Sequence, residues 1–404
     1  MVEVKKIIFL ALQFSNAEKG NTLWTDLVQE FHHKGHDILV LAPALDESKI
    51  GLRIEAGVKV LRVKTNKLFN VGLLQKGIAN LMLPYQYKNV LKKNKIPLDF
   101  DLILLPTPPI TLIDVGLWIK KKSQGKLYLI LRDIFPQNAV DLKMMKTNGL
   151  IHSYFRKKEI KLYEKSDSIG CMSPANVEYV KKHNPYLDMN KLHLLPNWER
   201  LPNFDVNGDV GSIKSKYGLS DKFIVIFGGN IGRPQKLENI VELAKSCSEI
   251  QDLVFYIIGN GTEKGKIANM VKTNKMTNMI FKNSIPKRDY YQLLRAADIG
   301  LISLSEDFTI PNFPSKVLSY YGAKKPVLAS LDLQTDFGKM LEETNSGLWA
   351  EAGNKQELKE KLVKLYESKE LREQLGKNGY EYMKANLQPN KAYTTIIKAI
   401  ATLN

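Results

Sequence analysis

Residues 296–330, AADIGLISLSEDFTIPNFPSKVLSYYGAKKPVLAS, decide the fold that we predict for this chain. An apolar run at residues 299–304 and a second one from residue 326 are separated by a polar loop and a helical stretch. Apolar runs joined in this way are typical of a parallel sheet with crossover helices. The loop therefore leaves the carboxyl end of a strand, and this edge is where open α/β sheets bind ligands.

The helix in this stretch is predicted to begin at Pro314 and Ser315. Proline suits the first helical position because its missing N–H would be unbonded there in any case. Exposed amides together with Ser315 and Lys316 predict a positive pocket for phosphate oxygens, and Ser319 follows one turn later on the same face. An ordinary helix start with a solvated lysine explains the same residues, so this stretch alone leaves both interpretations open.

Alternating strands and helices extend outward from this stretch in both directions. A polar, turn-rich segment at residues 196–211 predicts a linker. We therefore predict an α/β fold of two doubly wound sheets with a cleft between their carboxyl ends, with domains at residues 1–200 and 201–385. Residues 386–404 are predicted as a helix that packs on the first domain. The predicted strands are residues 6–13, 38–42, 58–63, 101–105, 126–133, 168–172 and 192–195, followed by FIVIFGGN, LVFYIIGNG, MIFKNS, IGLISL and PVLAS.

Length and composition restrict the class of protein. A chain of 404 residues exceeds the size of one core, and its net charge of +17 favours an anionic partner. The two cysteines lie far apart without metal-ligand spacing, which favours a reduced cytosolic compartment. Prolines interrupt the most apolar window, residues 102–119, so we predict no membrane span. No dinucleotide fingerprint, Walker loop, serine-hydrolase elbow, zinc motif or nucleic-acid-binding signature is found.

Residues 66–95 are apolar and basic together, and residues 154–165 have a similar character. The first segment predicts a pair of basic helices that place a peripheral protein on an anionic bilayer. A core helix with a lysine-rich solvent face is the alternative, and the sequence leaves it open.

Three loops of the second domain follow predicted strands and contain residues that suit a nucleotide. Glycines allow a ligand to approach the backbone closely, while arginine and lysine donate to a diphosphate. A flexible turn with solvated cations is the alternative. The predicted binding residues are Gly229, Asn230, Arg233 and Lys236 in the first loop, Gly259, Asn260 and Gly261 in the second, and Ile285, Pro286 and Lys287 in the third.

Arg132 and Asp133 follow a strongly apolar strand of the first domain. Their position at the carboxyl end of that strand predicts a catalytic or acceptor-binding pair. A buried structural ion pair is the competing interpretation.

Taken as a set, these motifs resemble the GT-B glycosyltransferases, and among them the retaining, nucleotide-sugar-dependent group called family four. LYLILRDIFPQNAVDL and FPSKVLSYYGAKKPVLAS look closest to bacterial amino-sugar transferases of surface-polysaccharide assembly, including the N-acetyl-L-fucosamine transferase type. The resemblance implies two Rossmann-like domains that face each other across a cleft. Many relatives have two glutamates where this chain has Pro311 and Ser319, and Glu306 or Asp307 are candidates to replace them.

The resemblance also implies roles for particular residues. Asp133, Arg233, Lys236 and Lys316 are the predicted catalytic residues, with Asp133 in the acceptor or sugar region. The loop at residues 230–236 would bind the donor diphosphate, and residues 285–287 would lie against the base. Gly20 would lie under the donor phosphates, while Pro314, Ser315 and Ser319 complete the predicted binding set.

The function expected from these observations is transfer of an amino sugar, such as N-acetyl-fucosamine, from a UDP-sugar to a polyprenyl-diphosphate-linked saccharide in capsule or O-antigen assembly. Stereochemistry would be retained, and no metal or cofactor is expected because cationic side chains stabilise the leaving diphosphate. The protein would be cytoplasmic and peripheral on the inner face of the membrane, with no nucleic-acid partner. A UDP-sugar 2-epimerase of the same fold and a non-catalytic polysaccharide- or membrane-binding protein are the alternatives.

Overall fold

A computed structural model describes residues 5–16, 22–44, 46, 49–68, 71–202 and 209–403. The chain forms two compact units. The first contains Met1–Arg200 together with Pro389–Asn404, and the second contains Leu201–Gln388. Each unit is an α/β structure built on its own sheet.

Most of the strands described below are buried at all but one or two of their residues, which explains their apolar sequences. The first sheet contains β1 Lys6–Leu10, β2 Asp37–Pro43, β3 Gly51–Glu55, β4 Val58–Val63, β5 Leu102–Pro106, β6 Lys126–Leu131, β7 Ser168–Cys171 and β8 Leu192–Leu194. The second contains β9 Phe223–Gly228, β10 Leu253–Ile258, β11 Met279–Lys282, β12 Ile299–Ser303, β13 Val327–Leu331 and β14 Gly347–Glu351.

Helices cover both faces of these sheets and connect successive parallel strands. They are α1 Leu23–His33, α2 Leu73–Lys93, α3 Ile113–Ser123, α4 Gln137–Asp141, α5 Leu150–Lys165, α6 Pro174–His183, α7 Val210–Lys216, α8 Glu238–Ser246, α9 Lys264–Thr273, α10 Lys287–Ala296, α11 Val317–Gly322, α12 Phe337–Glu343, α13 Lys355–Glu367, α14 Lys369–Asn386 and α15 Pro389–Ala401. Within the ranges described, none of them has the length and apolarity needed to cross a bilayer.

The strand order places the ligand-binding edge of each sheet. The second sheet has the order β11-β10-β9-β12-β13-β14, with parallel pairing throughout. The chain reverses direction across the sheet between β9 and β12, and such a switch point is where doubly wound folds bind ligands. The first sheet has the order β3-β4-β2-β1-β5-β6-β7-β8, with its switch point between β1 and β5. In that sheet β3 is antiparallel to β4.

The carboxyl-terminal helix α15 packs against α1 of the first unit. The hydroxyl of Tyr393 lies 2.9 Å from Nε2 of the buried His36, and the Tyr393 ring contacts Phe31 edge-on with ring centroids 4.9 Å apart. Buried aromatic contacts of this kind contribute beyond the apolar area that they bury. These contacts place the end of the chain in the core of the first unit.

The predicted α/β fold of two doubly wound sheets is confirmed, while one local prediction was wrong and two strands were not predicted. Residues 66–95 were predicted as a helix pair, but in the described residues they contain the single helix α2. The strand β3 was missed because three of its five residues are exposed, which removes the apolar signal. The strand β14 was not predicted either. The start of the helix near residue 314 is described with the site.

Candidate active site

The loops that follow the neighbouring strands β9 and β10 of the second sheet lie against each other. The amide of Gly229, after β9, donates to the carbonyl of Ile258 at the end of β10 with N···O 2.8 Å. The Ile231 amide donates to the Asn260 carbonyl with N···O 2.9 Å. The loops that the sequence singled out after β9 and β10 therefore form one continuous surface at the carboxyl edge.

Two glycines of the loop after β10 are required by this stacking. A Cβ added to Gly259 would lie 1.8 Å from the carbonyl oxygen of Gly229, and one added to Gly261 would lie 2.1 Å from that of Ile231. No side chain fits at such separations. Both glycines were predicted as nucleotide-binding residues, and the structure gives them a packing role that positions the loop after β9. Asn260, between them, donates to the hydroxyl of Ser284 over 3.1 Å.

A small cavity opens between the ends of β9 and β12, at the switch point of the second sheet. Its volume is about 160 Å³, and we call it the lysine pocket. Ser315, Lys316 and Pro314, all predicted from the sequence, line this cavity together. Its other lining residues are Pro234, Gln235, Ile302, Ser303, Leu304, Asn312 and Phe313.

Lys316 has an unusual environment in this pocket. Its Nζ atom lies 4.5 Å from the ring centroid of the buried Phe227, and burial lowers the pKa of its ammonium group to about 8. No carboxylate in the described part of the chain forms an ion pair with it. A Cβ at Gly229, whose φ is +136°, would come within 2.6 Å of Cε of Lys316. Lys316 is thus a half-buried cation that lacks a counter-charge, which an anionic ligand would supply.

The two other predicted cations already have acidic neighbours. Nε of Arg233 lies 3.7 Å from Oε1 of Glu263. The Lys236 ammonium group forms an ion pair with Glu306. The side-chain amide of Asn239 donates to the same carboxylate, with 3.5 Å between Nδ2 and Oε2. A diphosphate at these positions would compete with a carboxylate. Of these three cations, Lys316 is therefore the one without an acidic neighbour at ion-pair distance in the described residues.

A second cavity lies on the other side of the end of β9. We call it the tyrosine pocket; its volume is about 240 Å³. Tyr290 of α10 forms one wall, and a Cβ at Gly228 would lie 2.3 Å from its ring. Ile285 and Lys287, predicted to lie against a base, are part of the lining, with the intervening Pro286 as the N-cap of α10. The remaining lining residues are Gly229, Ile258 and Ser284.

The helix predicted to begin at Pro314 and Ser315 begins instead at Val317, with Lys316 as its N-cap. Residues 315–316 form a turn, and α11 has only six residues. The amides of Val317 and Leu318 donate to the carbonyls of Pro314 and Ser315, so the helical hydrogen-bonding pattern extends back into this turn. Ser319 does not line the lysine pocket. The Lys316 side chain supplies the positive charge in the lining of this pocket.

In the first unit, the turn after β6 is held by the hydroxyl of Thr107. This hydroxyl accepts hydrogen bonds from the amides of Arg132 and Asp133, with N···O distances of 2.9 and 3.3 Å. Burial raises the pKa of the Asp133 carboxyl, against the effect of the Arg132 charge. A carboxylate with a raised pKa is closer to the range in which it exchanges protons near neutral pH.

Arg132 and Asp133 do not form the structural ion pair that was the competing interpretation. The Arg132 guanidinium lies 5.7 Å from the ring centroid of Trp24, and burial lowers its pKa to about 10. Its Nη1 atom is buried without a hydrogen-bond partner in the described residues. The side chain of Asp133 instead lines a cavity of the same unit.

That cavity, which we call the apolar pocket, has a volume of about 300 Å³ and lies beside α2, α4 and α5. Pockets near this size are the smallest that enclose small-molecule ligands. Apolar side chains form most of its wall, and Asp133 is its acidic residue. The lining residues are Leu12, Leu68, Lys76, Asn80, Pro108, Pro109, Ile110, Thr111, Asp133, Phe135, Asn138, Ala139, Leu142, Met144 and Phe155.

Three further predictions concern binding groups. Gly20 lies outside the described residues. Asn230 is exposed and its amide donates to Oε1 of Gln235 over 3.1 Å, so it stabilises its own loop. In the described ranges, no group of three or more histidine, cysteine or acidic side chains is arranged to hold a metal ion. The expectation of a metal-free reaction stays a prediction.

Several residues in and around these cavities were not singled out from the sequence. Tyr290 lies one turn after Pro286, and an aromatic side chain at that distance from a predicted base-binding segment was the available signal. Gln235 accepts from the Gly232 amide over 3.2 Å and closes the loop after β9. Thr107 and Asn138 carried no recognisable signal, because their roles depend on the packing of separate segments.

In comparison with known proteins, residues 209–382, within the second unit, match the family described as glycosyl transferases group 1. The probable glycosyltransferase WbjE of Pseudomonas aeruginosa is 23% identical over 343 residues, which cover 84% of each chain. The putative colanic acid biosynthesis glycosyl transferase WcaI of Escherichia coli K12 is 28% identical over 153 residues, 36% of this chain and 37% of that protein.

Among solved structures, Anabaena Alr3699/HepE in complex with UDP and glucose is similar, with a TM-score of 0.72 and 14% identity over 98% of this chain and 100% of that chain. The structural likeness confirms the GT-B fold. The family match and the curated relatives confirm the prediction of a glycosyltransferase. The matched range contains the lysine pocket and the tyrosine pocket.

Proposed function

We propose that this chain is a retaining glycosyltransferase that transfers an amino sugar from a UDP-sugar to a polyprenyl-diphosphate-linked saccharide. We place this reaction in capsule or O-antigen assembly, because one relative, WcaI, is described as a colanic acid biosynthesis glycosyl transferase. The observation that carries the proposal is Lys316, a cation without an acidic partner that lines a cavity at the sheet's switch point.

The donor would occupy the two adjacent cavities of the second unit. Its diphosphate would lie in the lysine pocket and its uracil in the tyrosine pocket, where Ile285 and Tyr290 offer an apolar and an aromatic surface. The complex of Alr3699/HepE with UDP and glucose supports a UDP-linked donor. As the glycosidic bond breaks, negative charge grows on the diphosphate, and Lys316 would stabilise it with help from Arg233 and Lys236.

The acceptor would bind in the first unit, with its reacting hydroxyl near Asp133. The raised pKa of this carboxyl suits a group that accepts a hydrogen bond or a proton from a sugar hydroxyl. No second carboxylate is assigned beside it, so the proposed reaction differs from the two-carboxylate scheme of retaining hydrolases.

The experiment that tests this function is a donor panel. UDP-activated amino sugars and neutral UDP-hexoses are incubated with a polyprenyl-diphosphate-linked acceptor, and products are read by mass spectrometry and by the anomeric coupling constant. We expect an added amino sugar with retained configuration. Epimerisation of the donor without acceptor, or transfer restricted to neutral hexoses, would contradict the proposal.

The first unit also carries a surface that suits an anionic bilayer. Ile78, Leu81, Met82 and Tyr85 follow i, i+3, i+4, i+7 spacing on α2, and all are 41–66% exposed. We call them the α2 stripe. Lys88 and Lys92 follow Tyr85 at i+3 and i+7, so they continue this face toward the end of the helix. Exposed apolar residues with flanking lysines are typical of proteins that bind the membrane interface.

The first turns of α5 add to this surface. Leu150 is 92% exposed, and Ile151 and Tyr154 are exposed as well. Both helices contribute to the wall of the apolar pocket, α2 through Lys76 and Asn80 and α5 through Phe155. The proposed acceptor site therefore lies beside the proposed membrane surface, which supports a peripheral location on the inner face of the membrane.

Charge reversal of Lys88, Lys92, Lys93 and Lys95 to glutamate is expected to weaken binding to anionic vesicles by about tenfold or more. Each lysine near such a surface contributes about 1 kcal/mol of binding free energy. A tenfold loss corresponds to about 1.4 kcal/mol, so four reversals are enough to cause it. The measurement is co-sedimentation with phosphatidylserine-containing vesicles at low salt. The matched control reverses the exposed Lys272, Lys275, Lys339 and Lys377 of the second unit, which changes net charge equally. Equal losses in both variants would show a net-charge effect and contradict the surface.

A further inference from the structure

The ion pair between Lys236 and Glu306 connects the two loops that border the lysine pocket. Lys236 directly follows Pro234 and Gln235 in the loop after β9, and both of these residues line the pocket. Glu306 comes two residues after Leu304, which lines the pocket from the loop after β12. The side chains of Lys236 and Glu306 are 30% and 37% exposed, so both are accessible from the solvent.

Hydrogen bonds to backbone carbonyls hold these two loops together independently of the ion pair. The Ser305 amide donates to the Pro234 carbonyl with N···O 2.9 Å. The Ser303 hydroxyl donates to the carbonyl of Lys236 itself with O···O 3.5 Å. Because part-exposed ion pairs contribute little to folding, the loops do not depend on the Lys236–Glu306 pair for their arrangement. The pair can therefore open while the loops stay in place.

The chemistry of this pair makes it exchangeable with a phosphate. A lysine ammonium group is a compact charge with three donors, and it binds carboxylate and phosphate oxygens in the same way. The Glu306 carboxylate has a second donor, because the side-chain amide of Asn239 donates to its Oε2 atom over 3.5 Å. Glu306 thus keeps a hydrogen-bond partner when the Lys236 ammonium turns to another anion.

We propose that Glu306 is a place-holder for a donor phosphate. It holds the Lys236 ammonium in the free protein, releases it to the diphosphate when the UDP-sugar binds, and takes it back as UDP leaves. This inference rests on the proposed function, and it assigns Glu306 to the binding and release of the nucleotide. Since Glu306 acts through Lys236, it is a positioning residue and not a catalytic one.

Two other roles of Glu306 would have different consequences. If Glu306 only fastened the loops, its neutralisation would lower stability and weaken UDP binding. If it only repelled the diphosphate, its neutralisation would tighten UDP binding whether or not Lys236 is present. Exchange of the Lys236 ammonium between carboxylate and phosphate predicts tighter binding that requires Lys236.

The test uses Glu306→Gln, which removes the charge and keeps the size of the side chain and a hydrogen-bonding oxygen. The Kd of UDP is measured by isothermal titration and its dissociation rate by stopped flow, in the wild-type chain and in the Lys236→Met background. With Lys236 present, Kd and dissociation rate are each expected to fall about threefold to fivefold, the upper range for a part-exposed ion pair. In the Lys236→Met background, this gain is expected to be lost.

Glu343→Gln is the matched control. Glu343 lies in the same unit, is 63% exposed and pairs with Lys339, so its neutralisation changes the net charge equally. We expect this control to bind UDP as the wild type does. An equal gain in the control would show an effect of net charge and overturn the exchange.

The remaining outcomes separate failure of this inference from failure of the proposed function. No UDP binding by the wild type would contradict the proposed function itself. Normal wild-type binding with an unchanged or weaker affinity in Glu306→Gln would overturn the exchange alone, as would a gain that persists in the Lys236→Met background. Thermal unfolding of the same samples is expected to show no loss of stability in Glu306→Gln, and a marked loss would assign Glu306 to fastening the loops instead.

Discussion

Replacing Lys316 with methionine is expected to lower kcat/KM for the UDP-sugar by about 100- to 1000-fold, the usual effect of removing one preorganised group that stabilises developing charge. Arg233 and Lys236 cannot compensate fully, because Glu263 and Glu306 already neutralise them in part. Methionine keeps most of the stem volume beside Phe227, so folding is expected to survive. Steady-state kinetics with the donor identified by the panel is the measurement.

The control for this variant is Lys339→Met. Lys339 lies in the same unit, is 75% exposed and pairs with Glu343, so its loss removes a lysine without touching either cavity. We expect this control to retain wild-type kinetics. A Lys316→Met variant with kcat/KM within threefold of the control would contradict the assignment of Lys316 to the diphosphate.

UDP binding should also depend on pH through the same side chain. Because burial lowers the pKa of Lys316 to about 8, the free protein loses this positive charge as the pH rises through 8. UDP requires the ammonium form, so its Kd is expected to rise toward tenfold per pH unit between pH 8 and 10. Lys316→Met should lack that slope. An equal slope in the two proteins would assign the titration to another group.

The second large effect is expected for Gly259→Ala. The added Cβ would lie 1.8 Å from the carbonyl oxygen of Gly229, so the loops after β9 and β10 would have to separate. Overpacking of this kind costs about 1–3 kcal/mol and more where backbone atoms collide. We expect a lower free energy of unfolding in the second unit and at least tenfold weaker UDP binding, measured by denaturant titration and calorimetry.

Gly265→Ala is the matched control for this substitution. Gly265 lies in α9, six residues after Gly259, and an added Cβ would meet no atom within 4 Å. Alanine at a helical glycine stabilises by about 0.5–1 kcal/mol, so the control should gain stability while UDP binding stays unchanged. If Gly259→Ala behaved like this control, the stacking of the two loops would not be what positions Gly229.

The fold was predictable because most of the described strands are buried at all but one or two residues. Such strands are continuous apolar runs, and the alternation of these runs with helices specifies a doubly wound topology without any side-chain detail. The failures follow the same logic. The exposed strand β3 lacks such a run, so it was not predicted.

The site was predictable only in part. Lys316 and Ser315 could be placed at a ligand-binding edge, since their loop follows the end of β12. The neutralisation of Lys236 by Glu306 could not be predicted, because these side chains come from loops that meet only across the switch point.

The most direct test of the central claim is a crystal structure of the protein with UDP. The account predicts the diphosphate within hydrogen-bonding distance of Nζ of Lys316 in the lysine pocket, and the uracil in the tyrosine pocket beside Tyr290. A nucleotide bound elsewhere, or a diphosphate that contacts Arg233 and Lys236 while Lys316 stays without an anionic partner, would contradict it.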